Sequence, residues 1–271
     1  MCKSLTRENF LKEKTVSKET LTKIFDTHAH YFDEKFNNCG EDILPEIKKT
    51  VCGIINCATN YQNCQTVASL ANKHKGFFYS AFGVHPEELE KEYNENLLKK
   101  YLSLPNCVAV GEIGLDYNFR SDNKQEQKYW FEKQIILANN LNMPVIVHDR
   151  EAHNDTLELL KKYKPKGVVH CFSGSPETAK EILKLNMYIG VGGVVTFKNA
   201  KKLAETVKIL PIEKILLETD APYLAPEPFR GKPNRSDYII YIAQKIAEIK
   251  GLTPEEILKQ NLINTKNCFR I

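Results

Sequence analysis

Seven histidines are spread over 271 residues, and five of them stand at the ends of short apolar runs. In "FDTHAH", residues 25–30, Asp26, His28 and His30 occupy alternate positions. His85 follows an apolar run in "GVHP", His148 ends "PVIVH", and His170 falls in "GVVHC". Two carboxylates take equivalent places: Glu112 ends "CVAVGE" and Asp220 ends "ILLETD". His74 and His153 fall in helical or loop stretches. Imidazoles and carboxylates are ligands for divalent cations, and a carboxylate can bridge two of them. Successive side chains of a strand point to opposite faces, so His28 and His30 share one. Two imidazoles facing one pocket can hold a cation.

The elements that must position these residues are eight β-branched or apolar runs, at 23–28, 51–57, 77–83, 107–112, 144–148, 167–171, 187–193 and 215–220. Charged segments with helical periodicity separate them. "DNKQEQKYWFEKQIILANNLN" has Trp130, Ile135, Leu137, Ala138 and Leu141 as its apolar positions. "SPETAKEILKLN" opens on a serine suited to a helix start, and "TPEEILKQNLINTKNCF" has Pro and acids in its first turn. Strands alternating with helices predict parallel βα units. An open doubly wound sheet competes with a closed (β/α)8 TIM-type barrel. Setting aside the first ~22 residues leaves about 249, near the ~250 typical of a barrel. No GxGxxG loop follows the first run, which weakens the open sheet. The expectation is one barrel over residues 23–271, preceded by a polar N-terminal extension, residues 1–22.

Parallel strands bring all their C-terminal ends to one mouth, so residues scattered along the chain converge there. Six ligands exceed one four-coordinate site and suit two metal ions. One ion is assigned to His28, His30, Glu112 and Asp220, the other to Glu112, His148 and His170. Glu112 is the natural bridge, because strand 4 lies across the barrel from strands 1 and 8 and beside strand 5. Taken singly, a histidine at a strand end is more often a hydrogen-bonded packing residue; their joint placement points to metal. Asp26 and Glu218, two residues before His28 and Asp220, are expected to face inward one layer lower. There they would orient ligands or form internal salt bridges.

The net charge of +4 falls short of a general nucleic-acid binder, so affinity for a polyanion must come from local charge. Arg120, Arg150, Arg230 and Arg235 follow strands 4, 5 and 8, and Lys198, Lys201, Lys202 and Lys232 follow strands 7 and 8. Tyr31, Phe32, Tyr117, Phe119, Phe197, Tyr223 and Phe229 interleave with them. Guanidinium groups pair with phosphate and rings stack on bases. About half of such aromatics would instead pack the loops. The 8 cysteines form no CxxC pair, which favours reduced thiols. The first residues lack an apolar signal core, and no run approaches ~18 apolar residues. A cytoplasmic or nuclear monomer without membrane contact or an obligate protein partner is expected.

The stretches "DTHAH", "GVHP", "VGEIGLDY", "PVIVHDREA", "VVHCFSGS" and "LLETDAPYLAP", with "RGKPN" after them, resemble the TatD family of metal-dependent deoxyribonucleases, within the amidohydrolase-like barrels. The resemblance runs from about residue 24 to the C-terminus. It implies a (β/α)8 barrel that hydrolyses DNA phosphodiesters, often from the 3′ end. It implies His28, His30, Glu112, His148, His170 and Asp220 as ligands, and His85 near the phosphate. Imidazoles lean towards Zn²⁺ or Mn²⁺, while the resemblance points to two Mg²⁺ ions. Asp220, Glu112 and His85 are then the catalytic candidates. His85, Tyr117, Arg120, Arg150, Arg230 and Lys232 are the candidates for binding a DNA substrate. Ser236 stands where the family usually has proline. Two rival readings are an amide, ester or lactone hydrolase on the same barrel and a non-catalytic metal- or nucleic-acid-binding protein.

Overall fold

Eight parallel strands follow one another around a single sheet in chain order. They are β1 Ile24–Ala29, β2 Val51–Cys57, β3 Phe78–Phe82, β4 Cys107–Asp116, β5 Val145–Arg150, β6 Gly167–Val169, β7 Tyr188–Val191 and β8 Ile215–Leu217. This computed structural model describes residues 24–36 and 41–271, so the expected extension over residues 1–22 lies outside the described residues. Beyond Leu217 the chain runs on beside β1, where Ala29 and Ala221 form a parallel bridge. The Asp220 N–H donates to the His28 carbonyl at 2.9 Å, and the His30 N–H donates to the Ala221 carbonyl at 2.7 Å. These bonds join the last strand to the first, and the fold is a (β/α)8 barrel.

The described helices are α1 Leu44–Ile47, α2 Tyr61–Lys73, α3 Glu95–Leu102, α4 Lys124–Asn140, α5 His153–Tyr163, α6 Pro176–Lys184, α7 Lys201–Ile209, α8 Ile239–Lys250 and α9 Pro254–Phe269. Ser175 caps α6 by accepting from the Thr178 N–H, and Thr253 and Glu256 form a reciprocal cap on α9. Strands covered on both faces carry near-continuous apolar runs, as these do. The outer core lies between strands and helices. The inner core stacks Phe25, Ile55, Ala81, Ala109, Ile146, Val168 and Leu216 inside the barrel, with Cys268 and Phe269 of α9 packed against them. Leu141, expected in the stripe of α4, lies just past its end and is 40% exposed.

Two register shifts decide what faces inward. In β1 the shift lies between Asp26 and Ala29; in β4 it lies between Val110 and Ile113. Phe25 pairs with Gly53 and belongs to the inner core, whereas Asp26 pairs with Ile54 of the outer core. Asp26 therefore faces the helices, which corrects its expected place in an inner layer. A bulge adds a residue and re-aims the side chains beyond it. It turns His28 inward after Asp26, and in β4 it does the same for Glu112. Run 4 also continues as strand to Asp116, past its expected end. β6 and β8 stop before His170 and Asp220, where the backbone turns left-handed at Cys171 (φ 43°) and Asp220 (φ 59°).

Two fully buried glutamines on α4 fix the strand ends at the mouth. Gln134 accepts from the Val84 N–H at 2.8 Å and donates to the Val84 carbonyl at 3.0 Å. Gln127 does the same to Asp116, at 2.8 and 3.0 Å. Each amide satisfies backbone groups that would otherwise be buried and unpaired. Gln134→Leu should orphan both groups of Val84 at about 1–3 kcal/mol each. Urea denaturation checks this, and an unchanged midpoint would contradict it.

Candidate metal centre

The side chains of β1, β4, β5 and the turns after β3, β6 and β8 converge on one carboxylate, Glu112, which is 3% exposed. Its two oxygens face different partners. Oε2 lies 3.2 Å from His28 Nε2 and 3.5 Å from His30 Nε2. The same two nitrogens stand 3.0 Å apart and lie 3.6 and 3.3 Å from Asp220 Oδ1. Oε1 lies 2.6 Å from His170 Nε2, 3.0 Å from His148 Nδ1 and 3.3 Å from His85 Nε2. His170 Nε2 and His148 Nδ1 are 3.4 Å apart.

These spacings fit cations. Donors about 2.1 Å from a common ion lie about 3.0 Å apart at right angles and about 3.4 Å apart at tetrahedral angles. The first group, His28, His30, Glu112 and Asp220, spans that range. In the second, Glu112, His148 and His170, two spacings (3.0 and 3.4 Å) lie in that range, while His170 Nε2 and Glu112 Oε1, at 2.6 Å, are at hydrogen-bond distance and would have to part to share an ion. His85 lies as close to Glu112 as the other histidines do. The metal-capable groups among the described residues are His28–His30–Glu112, His28–His170–Asp220 and His85–Glu112–His148, so His28 and His170 also share a possible ion across the two assigned groups. The donor chemistry agrees. The Cys57 carbonyl accepts from His30 Nδ1–H at 2.9 Å, and Asp116 accepts from His148 Nε2–H at 2.9 Å. Each bond fixes one ring nitrogen as the donor and turns the other, with its lone pair, towards Glu112.

The charges are strongly coupled. Burial alone would raise Glu112, but the imidazoles of His170, His85 and His28 hold it well below the usual carboxylate range. Asp220 is lowered too, against burial, by its hydrogen bond from His30 and the charges of His28 and His30. Burial would lower His30, yet Asp220 and Glu112 raise it to about 9. His148 rises to about 10 against burial, through hydrogen bonds to Asp116 and Glu112. His28 falls to about 4, by burial and by the neighbouring charge of His170.

Glu218 faces inward as expected, with its carboxylate against Gly190, where an added Cβ would clash with Oε2. One of its oxygens accepts from the Cys171 N–H and lies 3.8 Å from His170 Nδ1. Asp26, on the other face of β1, ties the seam. It accepts from the His28 N–H at 3.2 Å, the Thr219 N–H at 3.0 Å, the Thr219 hydroxyl at 2.5 Å and the Ser236 hydroxyl at 2.6 Å. Ser236 thus supplies a donor that proline lacks, and its N–H donates to the Tyr31 hydroxyl at 3.2 Å. The departure at residue 236 is absorbed into this network, and its side chain bonds none of the metal-capable residues.

A cavity of about 850 Å³ opens over the centre. Of the substrate candidates, His85 and Arg150 line it; Tyr117, Arg120, Arg230 and Lys232 do not. Arg120 is exposed and bonded to Asp122, and Tyr117 donates to Asp155. Arg230 lies over Phe197 at 4.0 Å, and Lys232 over Phe229 at 5.9 Å. Arg235 pairs with Asp237 and Glu46. Of the aromatics, only Phe32 and Tyr223 reach the cavity, while Tyr31 is buried and Phe229 stacks on Tyr238. The expected arginine-lined mouth therefore reduces to Arg150, because the other guanidiniums are held by nearby acids and rings: Asp122, Phe197 and Asp237. Asp33, Glu34, Glu87, Glu88 and Asp149 line the cavity as well. Asp116 was absent from the candidates. Its signal was the alternation Glu112, Gly114, Asp116, legible only if run 4 continues as strand.

Asp116→Ala should weaken divalent-metal binding about 10–100-fold by freeing His148. Competition against a chelator reads this, and unchanged affinity would remove the supporting role. In the metal-free chain His30 and His148 hold their protons at neutral pH, and a cation must displace them. Metal affinity should therefore rise with pH and level off as the pH passes about 9 to 10. A flat profile between pH 6 and 9 would contradict this.

The family model described as TatD related DNase matches residues 25–270. The chain is 40% identical to YabD, an uncharacterized metal-dependent hydrolase of Bacillus subtilis, over 92% of this chain and 99% of that protein. Among solved structures it is similar to YjjV, a TatD homolog from Escherichia coli, at 33% identity and a TM-score of 0.85, covering 93% and 99% of the two chains. A TatD family hydrolase from Entamoeba histolytica follows at 26% identity and a TM-score of 0.80, covering 91% and 97%. With its six metal-capable residues gathered around Glu112, the chain belongs to the TatD family and is a metal-dependent hydrolase.

Proposed function

We propose that the chain hydrolyses phosphodiester bonds of DNA, acting as a 3′–5′ exonuclease on single strands with two divalent ions, Mg²⁺ first. The observation that carries this reading is Glu112. Its two oxygens face two separate groups of donors, inside an open cavity that also holds Arg150. The family's description as a DNase supports DNA as the polymer. Held by His28, His30, Glu112 and Asp220 and by Glu112, His148 and His170, such ions would acidify a water and offset charge on the phosphate.

The chain's own residues supply the rest. Asp220, ionised and lining the cavity, is placed to accept the proton of the attacking water. His85 is lowered, first by burial, so it stays neutral and can donate to a phosphate oxygen. Arg150 brings a permanent positive charge to the same cavity. The acids along the cavity repel a bare polyanion, so productive binding depends on the cations.

Labelled single-stranded DNA, incubated with and without EDTA, tests the reading against an ester or amide panel. Metal-dependent shortening of the DNA is expected, with Asp220→Asn slowing kcat about 10²–10⁴-fold while metal content is retained. Turnover of the esters alone, or tight DNA retention without cleavage, would overturn it. Reconstitution with Mg²⁺, Mn²⁺ and Zn²⁺ in turn ranks the metals.

A further inference from the structure

We infer that a side cavity opening off the metal centre seats the nucleobase attached to the scissile phosphate; this rests on the phosphodiesterase reading above. The side cavity measures about 200 Å³ and lies between the turn after β6 and the start of α7. Phe172, Gly192 and Leu203 form its buried floor, and Ser173 and Lys202 its exposed rim. Cys171 and Ser173 line both this cavity and the main one. Cys171 directly follows His170, so a group seated here lies beside the ligands. An apolar floor with a few polar edges suits a planar ring, whose faces need contact and whose rim needs hydrogen bonds. The volume is enough for one heterocycle.

Two further observations point the same way. Gly192 has φ −105°, which any residue adopts. A Cβ added there would meet nothing closer than the Glu218 carbonyl oxygen at 3.5 Å and its Cγ at 3.8 Å. Neither backbone strain nor crowding calls for glycine at this position, which lines the side cavity beside Glu218. Charge then sets the direction of entry. Asp33, Glu34, Glu87 and Glu88 make the wall after β1 and β3 acidic, while the side of β5 and α7 carries Arg150 and Lys202 against one acid, Asp149, whose carboxylate is engaged by His153 and Thr156. An anionic strand is repelled from the first wall and drawn to the second, where the side cavity opens.

The test compares a 5′-labelled oligonucleotide carrying a normal 3′-terminal nucleotide with the same strand ending in a tetrahydrofuran abasic residue. The native chain with its metals should show kcat/KM at least about 10-fold higher for the base-bearing end. Gly192→Val, which fills the floor, should bring that ratio close to 1, with Gly192→Ala between the two. Equal rates of the native chain on both strands would overturn the seat and keep the phosphodiesterase reading. So would a ratio that Gly192→Val leaves at the native value. No cleavage of either strand with any metal would remove the phosphodiesterase reading, and the seat with it. The native comparison needs no variant, so misfolding of Gly192→Val cannot hide the answer.

Discussion

A single buried carboxylate sets the terms for this barrel. Glu112 is nearly sealed from water, and an isolated charge in such a place is costly. Five imidazoles, His28, His30, His85, His148 and His170, offset it from β1, β5 and the turns after β1, β3 and β6. No two sequential elements could supply them, so the whole circle of strands must close before the charge is compensated. In the metal-free chain part of that compensation comes from protons on the rings. A bound cation would take the place of those protons.

The second constraint is the seam. Asp26 gathers four donors from β1, the segment after β8 and the turn at Ser236. It occupies the face of β1 opposite to His28. One strand thus presents a ligand pair inward and a clamp outward, and the register shift between them makes this possible. Without the shift, strict alternation would put Asp26 and His28 on the same side, and the barrel would lose either its clamp or its ligand.

Much of this was legible beforehand. Eight apolar runs and their helical spacers specified the barrel, because strands buried on both faces must be apolar throughout. The metal-capable residues stood out by their joint placement at the ends of such runs, where packing alone calls for no such bias. The bulges in β1 and β4 left no pattern in single residues, so Asp26 was expected on the wrong face and β4 to end too early. The loop arginines failed for a different reason. Position after a strand places a residue near the mouth, but local partners such as Asp122, Phe197 and Asp237 decide where the side chain goes.

The two donor groups also differ in how they are anchored along the chain. His148 and His170 sit on or directly after neighbouring strands, β5 and β6, and share Glu112 with adjacent β4. His28, His30 and Asp220 straddle the seam, and the His28 carbonyl and His30 N–H are themselves closure bonds. Local opening of folded proteins follows the weakest contiguous units. A breathing motion that parts the first strand from the last would spread one cluster and leave its neighbour intact. Ions bound at the two clusters would then exchange with solvent on different clocks, one set by the fluctuations of the barrel wall and the other by simple dissociation.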